Sequence, residues 1–95
     1  MLYLVRMDVG IPSHLPKAEV EAAKATEKAR SQELQRDRRW VHLWRVVGRY
    51  SNCSVFDVDS NDELHEILQA LPLYPFMTIE VTPLAQHPSA LDSNK

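Results

Sequence analysis

His42, Arg45, Arg49, Tyr50 and Asn52 fall within eleven consecutive positions of this chain, inside the stretch RRWVHLWRVVGRYSNCSVFDV that runs from Arg38 to Val58. Each brings a distinct capacity. A guanidinium can hold a carboxylate through two parallel hydrogen bonds, so Arg45 and Arg49 are candidate anchors for an anion. Tyr50 and Asn52 can donate to an oxygen that becomes anionic, and His42 can move a proton near neutral pH. Together these side chains describe acid–base work on a small anionic molecule. Cys53 has no base beside it in sequence and is a poor nucleophile. The same residues have plainer readings: the arginines as edge-strand charges that block aggregation, Asn52 as a turn residue, and His42 as a packed sheet residue between Trp40 and Trp44.

Acid–base chemistry also needs a base. From Lys17 to about Asp37 the chain has no Gly or Pro and is rich in Ala, Glu, Lys, Arg and Gln, so it is a long helix. At about 100° per residue this helix carries two apolar stripes, one of Ala18, Ala22, Ala25 and Ala29 and one of Val20, Ala23 and Leu34. Glu27 projects from the second. If the larger side chains cover a sheet, its carboxylate loses water and becomes more basic than a free glutamate. If the alanine stripe does so instead, Glu27 is an ordinary solvated residue.

Composition narrows the function classes. The 95 residues make one domain, 44% apolar and 25% charged, in the range of soluble globular proteins. Eleven basic against 13 acidic residues give a net charge of −2, with a basic cluster only at Arg36, Arg38 and Arg39, which disfavours nucleic acid. A single cysteine excludes an intramolecular disulfide and fits a reducing cytoplasm. No leader pattern and no apolar run of about 20 residues argues for secretion or membrane insertion. His14, His42, His65 and His87 have no paired metal-ligand spacing, so no metal is expected. With only Gly10 and Gly48 no phosphate-cradling loop can be built, so no cofactor is expected either.

The elements that must position these residues follow in order. Leu2–Val9 reads as a strand broken by Gly10, Pro12 and Pro16, and the long helix comes next. Trp40–Tyr50 is the second strand, with Trp40, His42, Trp44, Val46 and Tyr50 predicted on one face and Val41, Leu43, Arg45 and Val47 on the other. Ser51 and Asn52 make a tight connection into a third strand, CSVFDV. Ser60 and Glu63 form a capping-box signature for a second helix with Leu64, Ile67, Leu68 and Leu71 as its buried stripe. Phe76–Val81 is the fourth strand, and residues from about 82 to 95 are an irregular tail. The order β-α-β-β-α-β is that of a ferredoxin-like α+β sandwich: a four-stranded antiparallel sheet with two helices on one face. A second strand apolar on both sides leaves the open face in need of cover, which predicts a homo-oligomer through that face.

The stretch from Arg38 to Val58, together with LHEILQALPLYPFMTIEVTPLAQHPS, resembles the muconolactone delta-isomerase family of bacterial catechol breakdown. The resemblance runs from MLYLVRMDV through HPS, and its most specific pieces are W-x-H-L-W-R, G-x-Y-x-N-x-S-V-F-D-V and L-P-L-Y-P-F-M. It implies a cofactor-free enzyme of the β-ketoadipate pathway that converts (4S)-muconolactone, a small anionic lactone, to 3-oxoadipate enol-lactone by moving a ring double bond. It implies a decamer, with the tail from about 82 to 95 packed on a neighbouring subunit. It further supports the positions of Glu27, His42, Arg45, Tyr50 and Asn52 in a site; from what the reaction needs, Glu27, His42 and Tyr50 are read as catalytic residues and Arg45, Asn52, Arg49 and Arg6 as substrate-binding ones. Within that set Glu27 is the candidate base, Tyr50 and Asn52 the dienolate donors, His42 a helper or alternative acid, and Arg45 the carboxylate anchor, with Arg6 or Arg49 as alternatives. Arg49 stands where the family commonly has histidine, and Cys53 where it commonly has an aromatic residue. Chloromuconolactone dehalogenation uses much the same apparatus, and a non-catalytic ligand-binding oligomer is a third use of this scaffold.

Overall fold

The computed structural model describes residues 1–91. Its elements are β1 (Leu2–Val9), α1 (Lys17–Arg36), β2 (Trp40–Arg45), β3 (Ser51–Asp57), α2 (Asn61–Gln69), a 3-10 turn (Tyr74–Phe76) and β4 (Met77–Leu84). The strands form one sheet in the order β2-β3-β1-β4, with every neighbouring pair antiparallel. This is the expected ferredoxin-like α+β sandwich.

Alternation along β1 sets the core. Tyr3, Val5 and Met7 are buried, and they join Phe56, Trp40 and Leu34 of α1 and Leu64, Ile67 and Leu68 of α2 in one cluster. The residues between them on β1, Leu4 and Arg6, point to the other face, where Leu4 is exposed. On α1 the stripe of Val20, Ala23, Glu27 and Leu34 faces the sheet, while Ala18, Ala22, Ala25 and Ala29 are exposed. The larger side chains prevail because they bury more apolar area per turn than alanine. In α2 the Ser60 hydroxyl accepts from the Glu63 N–H at 3.1 Å, as a capping box requires. The return arm lands one residue earlier, with the Asp59 N–H donating to Glu63 Oε2 at 3.4 Å.

Three local expectations are corrected. The turn between β2 and β3 lies at Val46–Tyr50, not at Ser51 and Asn52, because Gly48 takes a φ of 79° that L side chains resist. The Arg49 N–H donates to the Val46 carbonyl at 3.1 Å and closes that turn. The facing of β2 also differs: the register shifts between Trp40 and His42, an irregularity that sets Val41 out of the alternation. Trp40 pairs with Phe56, Leu43 with Ser54 and Arg45 with Asn52 on the helix-covered side, and His42 and Trp44 pair with Val55 and Cys53 on the open side. Finally, β4 continues through Pro83 to Leu84 instead of stopping at Val81, since it is an edge strand and can carry a residue without an N–H.

The end of α1 contains a strained residue. The Arg38 N–H donates to the Gln35 carbonyl and the Arg39 N–H to the Leu34 carbonyl, each at 3.1 Å, and Arg38 has a φ of 64°. This is a Schellman closure with arginine where glycine is favoured. Arg38→Gly is therefore expected to stabilise the fold by about 0.5–1 kcal/mol, seen as a rise of a few degrees in the thermal midpoint followed by circular dichroism.

Candidate active site

A cavity of about 420 Å³ lies between α1 and the helix-covered side of the sheet. Its helical wall is Lys24, Glu27, Lys28 and Ser31, which recur every three or four residues along α1 and so share one side of it. The opposite wall comes from Trp40, Leu43 and Arg45 of β2, Tyr50 of the turn, and Ser51 and Asn52 of β3. Val9 and Leu73 complete the lining.

Glu27 is half-buried at this wall. Its Oε1 accepts a hydrogen bond from the Leu73 backbone N–H at 2.9 Å. Burial pushes its carboxyl above the ordinary carboxylate range, and the Leu73 N–H offsets this in part by favouring the charged form. Among the described residues no donor is recorded on Oε2, which is left to take a proton. The geometry is that of a carboxyl fixed by one oxygen and partly desolvated.

Hydrogen-bond donors and cations face it. The Ser54 hydroxyl, fully buried, donates to Asn52 Oδ1 at 2.7 Å, so the amide N–H groups of Asn52 are its unused capacity. Two cations lie over the Tyr50 ring: Arg45 Cζ is 5.3 Å and Lys24 Nζ 5.6 Å from its centroid. Such contacts hold the ring and the cations together. Trp40 packs on Phe56 with centroids 4.7 Å apart, and its buried Nε1–H has no acceptor among the described residues. A half-buried carboxylate, hydrogen-bond donors and guanidinium or ammonium charge thus meet in one cavity.

The sequence profile of the family described as Muconolactone delta-isomerase matches residues 1–90. The chain belongs to that family. A Muconolactone Delta-isomerase of Cupriavidus pinatubonensis is 57% identical over 91 residues, which cover 96% of this chain and 99% of that protein. One from Acinetobacter baylyi is also 57% identical over 91 residues, covering 96% and 95%. A crystal structure of muconolactone isomerase at 3.3 Å resolution superposes with a TM-score of 0.93 at 48% identity, covering 99% of this chain and 98% of that one.

Within the muconolactone delta-isomerase fold of this chain, the expected site residues separate into two groups. Glu27, Arg45, Tyr50 and Asn52 line the cavity, and Asn52 is a strand residue rather than a turn residue. His42, Arg49 and Arg6 do not line it. His42 lies on the open side of the sheet because of the irregularity after Trp40. Arg49 is an exposed turn residue whose carbonyl receives Arg45 Nη1 at 3.5 Å. Arg6, also on the open side, holds Asp8 through two contacts of 3.2 Å. That bond, with a further one from the Ser51 hydroxyl, keeps the Asp8 carboxyl below its ordinary range. Lys24, Lys28 and Leu73 enter the site without having been singled out from sequence. For Lys24 a signal existed, since a residue three before Glu27 shares its helix side. For Leu73 none did, because its contribution is a backbone N–H.

The raised Glu27 pKa has a stability sign. The folded chain holds that proton more tightly than the unfolded chain, so the contribution is fully present below the unfolded pKa and is lost as pH rises through the folded one. Glu27→Gln retains an oxygen for the Leu73 N–H and removes the titration. Thermal midpoints measured from about pH 4 to about pH 8 should fall less for this variant than for the parent, with the variant at least as stable at the upper end.

Proposed function

We propose that this chain is a cofactor-free muconolactone delta-isomerase in which Glu27 is the base and then the acid. The observation that carries the reading is Glu27 itself: half-buried, with Oε1 held by the Leu73 N–H and Oε2 free, in a cavity shared with Arg45, Tyr50 and Asn52. Oε2 removes the proton from the ring carbon that bears the carboxymethyl arm. The electron pair moves through the ring to the lactone carbonyl, which gives a dienolate. Glu27 then returns the proton to the carbon beside that carbonyl, so the double bond has moved and nothing is gained or lost. A burial-raised pKa suits both halves, because the base is stronger and the acid does not give its proton to solvent at once.

Arg45 is the anchor for the carboxylate arm, and Tyr50 and Asn52 donate to the carbonyl oxygen as it gains charge. The Ser54 hydroxyl supports this use of Asn52 by occupying its carbonyl oxygen. Family membership supports a decamer, and the exposed Leu4 and Trp44 on the open face, with Trp44 at 68%, support burial of that face between subunits. The single domain spans residues 1–95; beyond Leu84 the described residues lie outside the sheet and are exposed except for Ala90, with hydrogen bonds only to His87 within the segment, which fits a tail that packs on a neighbour. The cytoplasm suits such an enzyme, and no described helix is long and apolar enough to cross a membrane.

The test is incubation with (4S)-muconolactone in deuterated water, followed by proton NMR without added metal or cofactor. Enol-lactone is the expected product, and its deuterium content beside the carbonyl reports how far the Glu27 proton exchanges with solvent before it is returned. Glu27→Gln should lower kcat by about 10²–10⁴-fold, and Arg45→Met should raise KM by about 10–100-fold, the value of a charged hydrogen bond. Chloride release from a chlorinated lactone, with no turnover of muconolactone, would replace this reading by dehalogenation.

A further inference from the structure

The transfer of one proton to Glu27 moves charge as well as mass. Before it, the cavity holds the Glu27 carboxylate and the carboxylate arm of the lactone. After it, Glu27 is neutral and the substrate carries two negative charges, one on the arm and one on the dienolate oxygen. One cation suffices for an anchor. A second, placed where the new charge arises, adds Coulombic stabilisation to what the neutral donors Tyr50 and Asn52 supply.

The cavity supplies one. Arg45 stands on the β2 wall and Lys24 on the α1 wall, on the same helix side as Glu27 and one turn before it. Both approach the Tyr50 ring, whose centroid is 5.3 Å from Arg45 Cζ and 5.6 Å from Lys24 Nζ. Among the described residues the one carboxylate within 4.0 Å of Lys24 Nζ is that of Glu21, with Oε1 at 3.9 Å, a pair whose side chains are 41% and 61% exposed. A contact of that length and exposure holds the ammonium weakly, so a bound anion can recruit it. Lys28 also borders the cavity but is more exposed than Lys24.

Resting on the isomerase reading above, we infer that Lys24 is a further catalytic residue: its ammonium meets the lactone carbonyl oxygen beside the Tyr50 hydroxyl and balances the charge that this oxygen gains as Glu27 is protonated. Arg45 serves the charge that is present throughout, and Lys24 serves the charge that exists only after proton transfer. The two cations therefore act on different kinetic constants. Loss of Arg45 acts on binding, and loss of Lys24 acts on turnover.

The experiment compares the parent with Lys24→Met and Lys24→Arg, using (4S)-muconolactone for turnover and the saturated carboxymethyl lactone, which has no ring double bond and forms no dienolate, for binding. Lys24→Met should lower kcat by about 10–10³-fold while the saturated lactone binds within about threefold of the parent by calorimetry, a change too small to count as a lost charged contact. Lys24→Arg, which keeps the charge at the cost of shape, should restore at least a tenth of the parent kcat, within the roughly tenfold expected of altered geometry alone. Turnover by Lys24→Met equal to the parent would overturn the inference. So would a loss of kcat matched by an equal loss of saturated-lactone affinity, or a Lys24→Arg variant as slow as Lys24→Met. Lack of turnover by the parent itself would overturn the isomerase reading instead, so the two failures are distinct.

Discussion

Trp40 and Arg45 are five residues apart on one strand, an odd spacing that in a regular strand sends them to opposite sides of the sheet. Here both lie on the helix-covered side, and the register shift after Trp40 is what permits it. Trp40 must stay inside, because its ring is buried against Phe56 in the centre of the core. With that residue fixed, displacement of Val41 from the alternation turns Leu43 and Arg45 into the cavity and turns His42 and Trp44 out of it. One local irregularity thus decides which charged and aromatic groups can reach a ligand and which can reach only a neighbour.

The other wall depends on a helix that does not pack closely along its length. Only Ser31 and Leu34 of α1 are buried, both in its C-terminal half, and Ser31 satisfies its hydroxyl within the helix by donating to the Lys28 carbonyl at 2.9 Å. Toward the middle, Glu27 and Lys24 occupy positions that a purely structural helix would give to leucine. The space that larger apolar side chains would have filled is the cavity. Half-burial of the Glu27 carboxylate costs stability at neutral pH, and the Leu73 N–H recovers part of that cost while fixing the direction of the carboxylate. Such concessions are typical of sites where function and packing compete.

Charge is divided between the two sides of the sheet in the same way. On the open side Arg6 is tied to Asp8, so its charge is spent locally. On the cavity side Lys24, Lys28 and Arg45 outnumber Glu27, and the low polarity of Trp40, Leu43 and Leu73 around them strengthens their effect on a small anion. In the mechanism proposed above, negative charge passes from Glu27 to that anion during turnover, so it is the distribution of charge among these cations that changes and not its sum.

Sequence by itself determined the element order, the buried stripe of α2 and the two candidate stripes of α1, between which only the tertiary structure chose by turning Val20, Ala23, Glu27 and Leu34 toward the sheet. The element order and the stripes rest on periodicity, caps and propensity, which are set by residues a few positions apart. The family was legible for the same reason, as runs of neighbouring residues around Trp40–Val58 and Leu71–Met77. Tertiary structure alone decided that the turn centres on Gly48, that Asn52 is a strand residue oriented by Ser54, that His42 and Arg6 face away from the cavity, and that the Leu73 N–H reaches Glu27 across 46 positions. Strand irregularities and long-range hydrogen bonds are settled by which partner a segment meets, and that partner is not written in the segment itself.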